Sequence, residues 1–362
     1  MSAIQQTAAE VARNYLIWRS QRPAVSRPNG GPTRQRLRAQ ATFLSKLRGT
    51  IDQFAEYDKI ELQDVAREAI PIDRLHSEAH AQVEANPETQ FHDHLVKALL
   101  RWFKNEYFTW VNSPPCQHCQ SPTTAVGGVN PTPEEIRYQC GRVELYKCNL
   151  CHKETRFPRY NNLRKLMETR RGRCGEWANV FCLFCKTMGF ETRYVLDFTD
   201  HVWTEIYKDG KGWVNCDSCE GEGSYDQPLM YEAGWGKKLT YIFSIGTYEI
   251  VDVIRRYTNK PDEVFARRTD VDELWLKKTI SDLTARMQNT LPASAKSDLE
   301  QRAAQEQAQL NKTIAKEDEG PVAAVLHGRE SGSVQWRAAR GELGADQAPA
   351  DETSDVKKNA TS

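Results

Sequence analysis

The order of patterns along the 362-residue chain predicts an α+β protein. Three observations carry this: helical periodicity through the first third, two C-x-x-C pairs in a strand-and-turn region, and a buried helix followed by short strands after residue 174. The expected architecture is a helix-and-sheet core with an inserted four-cysteine subdomain and flanking helices.

Taken in order, Ile4, Ala8, Val11, Tyr15 and Trp18 recur at alternating spacings of four and three, the stripe of an amphipathic helix, until SRPNGGP at 26–32 breaks it. Residues 1–32 are read as a partner-binding helix on a linker. Residues 11–50 hold nine Lys or Arg and no Asp or Glu, as a transit peptide would, but the regular stripe favours the partner helix. Helical patterns at about 34–56, 61–83 and 89–111 make residues 33–111 the helical part of the core, ended by Ser-Pro-Pro. Residues 112–157 are short strands and turns around cysteines. Within 158–291, GEWANVFCLFCKTM reads as a buried helix closed by Gly189, and ETRYVLDF, HVWTEIY and WVNCD read as strands. A helix with Leu276, Ile280, Leu283 and Met287 on one face closes this core. Residues 292–362 are polar and expected to be largely disordered. One exception is 328–342, where Trp336 and several Arg within the polar tail suggest a docking segment.

Basic and acidic side chains balance at 49 each, which excludes a polyanion binder driven by bulk charge, so no nucleic-acid partner is expected. No run approaches the roughly 18–20 apolar residues of a membrane span, and no secretory signal core is present at the N-terminus. The expected location is the cytoplasm, with the nucleus also open.

Cys116 and Cys119 form one C-x-x-C pair, and Cys148 and Cys151 form another after a 28-residue insertion. Two such knuckles bring four thiolates to one tetrahedral ion, and the expectation is one structural Zn²⁺ per chain. Pro114, Pro115 and Asn149 suit the tight turns this needs. His118, Cys140 and His152 lie nearby but are left out, because the two pairs already close the site. A closed site leaves no open position for chemistry, so catalysis belongs elsewhere.

Cys174 stands at the predicted start of a helix in RRGRCGEWANVFCLFC, where free backbone N–H groups, the helix dipole and Arg170, Arg171 and Arg173 favour a thiolate. His201 opens the strand HVWTE and Asp217 ends WVNCD. The order Cys, His, Asp on helix, strand and strand is a nucleophile, base and orienter set for acyl transfer. A three-residue hairpin loop at Asp209–Lys211 would pair Trp203 with Asp217 and leave His201 diagonal to it, within reach; a two-residue loop would face them oppositely. Cys182 and Cys185 lie among apolar neighbours and are read as core, and Cys216 and Cys219 as structural.

The runs RCGEWANVFCLF, RYVLDFTDHVWTEIY and WVNCDSCEG, with the two knuckles upstream, resemble the cytosolic peptide:N-glycanases of the transglutaminase-like superfamily over about residues 85–270. The resemblance implies a transglutaminase-like, papain-like core and an enzyme that cleaves the amide between an N-linked glycan and asparagine on misfolded glycoproteins exported from the endoplasmic reticulum. It makes Cys174 the nucleophile, His201 the base and acid, and Asp217 the orienter, and places Trp110 near the oxyanion site. Arg193, Trp203, Glu205 and Trp213 match positions in or beside the family's cleft, where Trp faces would stack on sugar and Glu205 would bond the chitobiose. It implies denatured N-glycoproteins as substrates and a ubiquitin-receptor shuttle of the proteasome as partner. Neither a PUB-type domain nor a C-terminal sugar-binding domain is seen, so a short form is expected. A transglutaminase or cysteine protease would use the same triad, and a non-enzymatic repair scaffold shares the fold but is expected to have a degenerate one.

Overall fold

The computed structural model describes residues 33–312 and 327–344. The expected partner helix and its linker at 1–32 lie outside the described residues.

Four helices lead the chain: α1 (Arg34–Ala55), α2 (Ile60–Ala69), α3 (Ile72–Ala85) and α4 (Phe91–Trp102). The last buries Leu95, Val96, Leu99 and Leu100 and runs into a π-helical turn at Phe103–Tyr107. Strand β1 (Thr109–Trp110) follows.

The cysteine-bearing region is a three-stranded antiparallel sheet in the order β2 (Thr123–Val129), β3 (Arg142–Cys148), β4 (Glu154–Arg159), with α5 (Pro133–Arg137) crossing between the first two. A capping box fixes α5: Thr132 Oγ1 accepts from the Glu135 backbone and Glu135 Oε2 from that of Thr132. Val111, Tyr146 and Phe157 form its small core.

After α6 (Leu163–Thr169) and β5 (Arg171–Gly172) comes α7 (Cys174–Thr187), in which every residue from Glu176 to Cys185 is buried. Its aromatic face meets the π turn, where the Phe103 ring lies 5.2 Å from Phe181 and 5.6 Å from Trp177. Truncating such a core ring costs about 3–5 kcal/mol. Gly189 ends the helix at φ 84°, letting Phe190 N–H reach the Cys185 carbonyl at 3.0 Å.

A five-stranded antiparallel sheet follows, built from β6 (Thr192–Asp197), β7 (His201–Lys208), β8 (Gly212–Cys216), β9 (Ile242–Ile245) and β10 (Ile250–Asp252) in the order β10-β9-β6-β7-β8. Helices α8 (Pro261–Arg267) and α9 (Glu273–Met287) come next, and α9 buries Leu276 and Leu283.

The described parts of the tail depart from its expected disorder. Residues Ala293–Asn311 form α10, and a second ordered stretch at 327–344 contains the short helix α11 (Val334–Ala339). Composition misled because charge in α10 is neutralised inside the fold: Glu306 is buried against Arg193 and Arg256.

Candidate active site

Local pairing sets where Cys174 stands. Strands β1 and β5 run parallel, with Trp110 beside Gly172; Thr109 N–H donates to Arg170 O at 2.8 Å, and Val111 N–H to Gly172 O at 3.0 Å. Gly172 permits the close turn into α7, since a Cβ there would lie 2.4 Å from that of Glu176. Cys174 is then the first residue of α7, at the positive end of its dipole. Its first turn is clamped from the cysteine sheet: Arg159 donates to both Glu176 oxygens at 2.6 Å. Arg173 adds a fork onto Glu144 at 2.8 and 2.9 Å.

The hairpin supplies the other two groups. Lys208 pairs Gly212 across a three-residue loop, and Thr204 pairs Cys216, so continuing the register sets Asp217 opposite Trp203 and diagonal to His201. His201 Nε2 lies 2.6 Å from Asp217 Oδ2. Asp217 is held in turn: its Oδ1 accepts Cys219 N–H at 3.0 Å, and its own N–H donates to Ser224 Oγ at 2.9 Å. The imidazole sits among the rings of Trp203, Tyr231 and Trp235.

Electrostatics follow from this burial. Burial drives His201 well below the usual imidazole range, and the charges of Arg329 and Lys237 add to it. Burial pushes Asp217 up to about 6 against the pull of Arg329, so near neutral pH it is a carboxylate facing a neutral imidazole. Burial also raises the Cys174 thiol, with Arg329 acting against it. One cation thus acts on all three groups. The arrangement supports nucleophilic acyl chemistry: a thiol at a helix start, and an imidazole oriented by a carboxylate.

Arg329, which the sequence did not mark as a site residue, comes from the ordered tail stretch. Its side chain is fully buried, with Nη2 3.3 Å from His201 Nδ1. Glu220 was missed as well; its carboxylate accepts the backbone N–H groups of Glu330 and Ser331 at 2.9 and 3.2 Å. The one signal for this stretch was Trp336 with its arginines in a polar tail, read as a docking segment; it docks on the chain's own His201.

Trp110 lies half-buried at this site, its ring 5.9 Å from the Arg329 guanidinium. Its indole N–H donates to Asn112 Oδ1 at 2.9 Å, so this donor is engaged instead of open for an oxyanion.

Of the four expected sugar-binding residues, Trp203 packs against the His201 ring from within the core, and the other three lie along the same sheet. Arg193, Trp203 and Glu205 are 1%, 0% and 0% exposed, and Trp213 is buried under the Arg193 guanidinium, 3.8 Å from its ring centre. Glu205 accepts from Arg256 at 2.6 Å and also takes the Tyr257 hydroxyl. Arg193 pairs with Glu306 and Glu249. Trp203 stacks on Tyr231 and donates to Tyr257. These are core and a buried ion network, though Arg193 and Trp213 also line a small pocket with Tyr207 and Arg302; polar strand residues at alternating positions read the same from sequence whether they face a cleft or a buried counter-charge.

The Sγ atoms of Cys116, Cys119, Cys148 and Cys151 lie within 4.8 Å of one another, a cluster that could hold a metal ion. Each knuckle closes with a left-handed residue, Gln120 at φ 60° and His152 at φ 57°. Backbone N–H groups of His118, Leu150 and Cys151 point at the sulfurs at 3.3–3.4 Å, as around thiolates. Cys140 instead donates to the Arg142 carbonyl.

Comparison with known proteins follows the same lines. A transglutaminase-like superfamily model matches residues 123–218, a span holding Cys174, His201 and Asp217. The chain is 43% identical over 296 residues to the peptide-N(4)-(N-acetyl-beta-glucosaminyl)asparagine amidase of Yarrowia lipolytica, covering 80% of this chain and 81% of that one. It is 42% identical over 316 residues to the amidase of the same name from Arabidopsis thaliana, covering 86% of this chain but 43% of that longer one. A crystal structure of Rad4–Rad23 crosslinked to an undamaged DNA aligns over 79% of this chain and 62% of that chain, with a TM-score of 0.49 and 13% identity. On the identity and shared length with the Yarrowia enzyme, the chain belongs to the peptide-N(4)-(N-acetyl-beta-glucosaminyl)asparagine amidase family.

Proposed function

We propose that this chain is an amidase that cleaves the bond between the first GlcNAc of an N-linked glycan and its asparagine, with Cys174, His201 and Asp217 as its triad. The observation that carries the reading is the 2.6 Å contact of His201 with Asp217, taken together with a cysteine that starts a helix. The thiolate adds to the asparagine side-chain carbonyl, and the tetrahedral intermediate collapses as His201 protonates the departing glycosylamine nitrogen. Water, deprotonated by His201, then hydrolyses the Cys174 thioester. The products are an aspartate, the free thiol and a 1-amino sugar that takes up a second water and releases ammonia to give a reducing end.

Zinc is the ion proposed for Cys116, Cys119, Cys148 and Cys151. Zn–S bonds of about 2.3 Å in a tetrahedron place sulfurs about 3.8 Å apart, near the 3.4–3.5 Å found between Cys119 and its neighbours Cys148 and Cys151. Four thiolates leave no position for substrate, so the ion would brace the sheet whose Arg159 clamps the first turn of α7.

The proposed substrates are unfolded N-glycoproteins and glycopeptides, because a glycosylated asparagine must enter a cleft to meet the thiol. No described helix is long and apolar enough to cross a membrane, and the proposed setting is the cytoplasm, in the disposal of misfolded glycoproteins. A ubiquitin-receptor shuttle of the proteasome is the proposed partner of residues 1–32, supported by the apolar stripe there. The test is glycopeptide cleavage by wild type, Cys174→Ala and Asp217→Asn. Turnover should vanish in the first and fall steeply in the second through misorientation of the imidazole; full activity of Cys174→Ala would refute the reading.

A further inference from the structure

The stretch at 327–344 is fastened to the triad too closely for a tail. Arg329 N–H donates to the Glu342 carbonyl at 2.9 Å, closing the stretch into a loop on itself. A Cβ on Gly328 would lie 1.8 Å from Leu343 O, and one on Gly344 would lie 2.8 Å from Gly234 O, so the two arms cross each other and the body at glycine-only distances. Arg340 ties the far arm down, donating to Asp200 Oδ2 at 2.8 Å and Thr199 O at 2.9 Å.

At the centre each nitrogen of the Arg329 guanidinium has a partner. Nη1 donates to Glu342 Oε2 and Nε to Ser331 Oγ, each at 2.9 Å, which leaves Nη2 aimed at His201 Nδ1. The rings of Trp336 and Trp235 flank the cation at 4.6 and 4.9 Å.

We propose that Arg329 is a positioning residue of the amidase reaction, fixing His201 as its Nε2–H tautomer with Nδ1 as the acceptor and holding a permanent positive charge at the His201 ring. The assignment rests on the amidase reading above. A guanidinium carries only donors and does not deprotonate, so the ring nitrogen it faces must present a lone pair. That puts the proton on Nε2, where Asp217 Oδ2 receives it at 2.6 Å. Nδ1, whose single in-plane lone pair faces Nη2, takes a proton from the thiol only when Arg329 swings off it. The cation also makes an imidazolium a stronger acid toward the leaving nitrogen and makes a thiolate cheaper to form.

Other charges bear on both groups. Around Cys174, Arg159 acts with Arg329, while Asp200 and Glu176 act against it. Around His201, Lys237 acts with Arg329, and Asp197 and Glu342 oppose it, beside the bonded Asp217. Only Arg329 among these bears on Cys174, His201 and Asp217 together.

The test is the pH dependence of Cys174 alkylation by iodoacetamide, read on the Cys174 peptide by mass spectrometry, in wild type, Arg329→Met and Arg329→Lys. The midpoint should rise by about one pH unit in Arg329→Met, which is about a tenfold loss of thiolate at neutral pH, and Arg329→Lys should recover part of it. Glu342→Gln keeps an acceptor for Nη1 but removes the opposing charge, so its midpoint should move the other way, an arm that stands even if Arg329→Met does not fold. Unmoved midpoints in these variants would overturn the proposal. Faster glycopeptide cleavage by Arg329→Met would overturn it too, marking the loop as an inhibitory plug. A wild type that shows the Arg329-dependent alkylation but never cleaves glycopeptide would sink the amidase reading alone.

Discussion

Replacing Glu205 with Gln separates the two readings of this residue. If Glu205 bonded sugar, the variant would bind glycopeptide poorly and be otherwise sound. In the structure Glu205 is wholly buried, faces Arg256 at 2.6 Å and receives the Tyr257 hydroxyl. Removing one partner of a buried ion pair costs about 3–5 kcal/mol, because the remaining charge is left without compensation. Here Arg256 keeps Glu306, and the Gln amide oxygen still accepts from Tyr257, so the low end, about 3 kcal/mol, applies. In a chain above 250 residues each kcal/mol moves Tm by about 2 °C, giving a fall of roughly 6 °C. The assay pairs urea and thermal unfolding of Glu205→Gln with its KM on a denatured glycopeptide. Lower stability with an unchanged KM is expected, whereas unchanged stability with a KM raised tenfold or more would refute the buried-network account.

Three further outcomes follow. Elemental analysis should find about one zinc per chain, and chelation should unfold the cysteine sheet and release the Arg159 clamp on Glu176, so activity falls with metal loss; a metal-free chain that keeps fold and activity would contradict this. Burial alone would raise Glu144, but its hydrogen bonds to Arg173 and Tyr146 hold it down from 4.5 to about 2; this carboxylate stabilises the fold fully above about pH 4.5 and loses its contribution, about 3 kcal/mol, as pH falls toward 2. Urea unfolding across that window should show the slope in wild type and a flatter one in Glu144→Gln. Deleting residues 1–25 should abolish shuttle binding and leave glycopeptide cleavage intact, and loss of cleavage would mean the segment belongs to the core.

Much of the site was legible because its signals are local. The start of α7 at Cys174 follows from a glycine-bounded turn before an apolar run, and the opposition of His201 and Asp217 follows from strand parity once the loop is three residues long. The paired knuckles were legible for the same reason: spacing two apart is a property of one turn. What failed depended on distant partners. Glu205 and Arg193 look like cleft residues until Arg256 on a later turn and Glu306 on α10 arrive to bury them. Helix α10 looked disordered because composition counts charges without their counter-charges. Arg329 carries no motif of its own; only the folded chain carries it 128 residues back to His201.

The central claim is that Cys174 forms a thioester with asparagine, and it is tested by deglycosylating a denatured glycopeptide in heavy-oxygen water. The account predicts that each attachment asparagine becomes aspartate carrying one solvent oxygen, with no sugar left on the peptide and no product from Cys174→Ala. A peptide that keeps a GlcNAc on intact asparagine, or one deglycosylated equally well without Cys174, would contradict it.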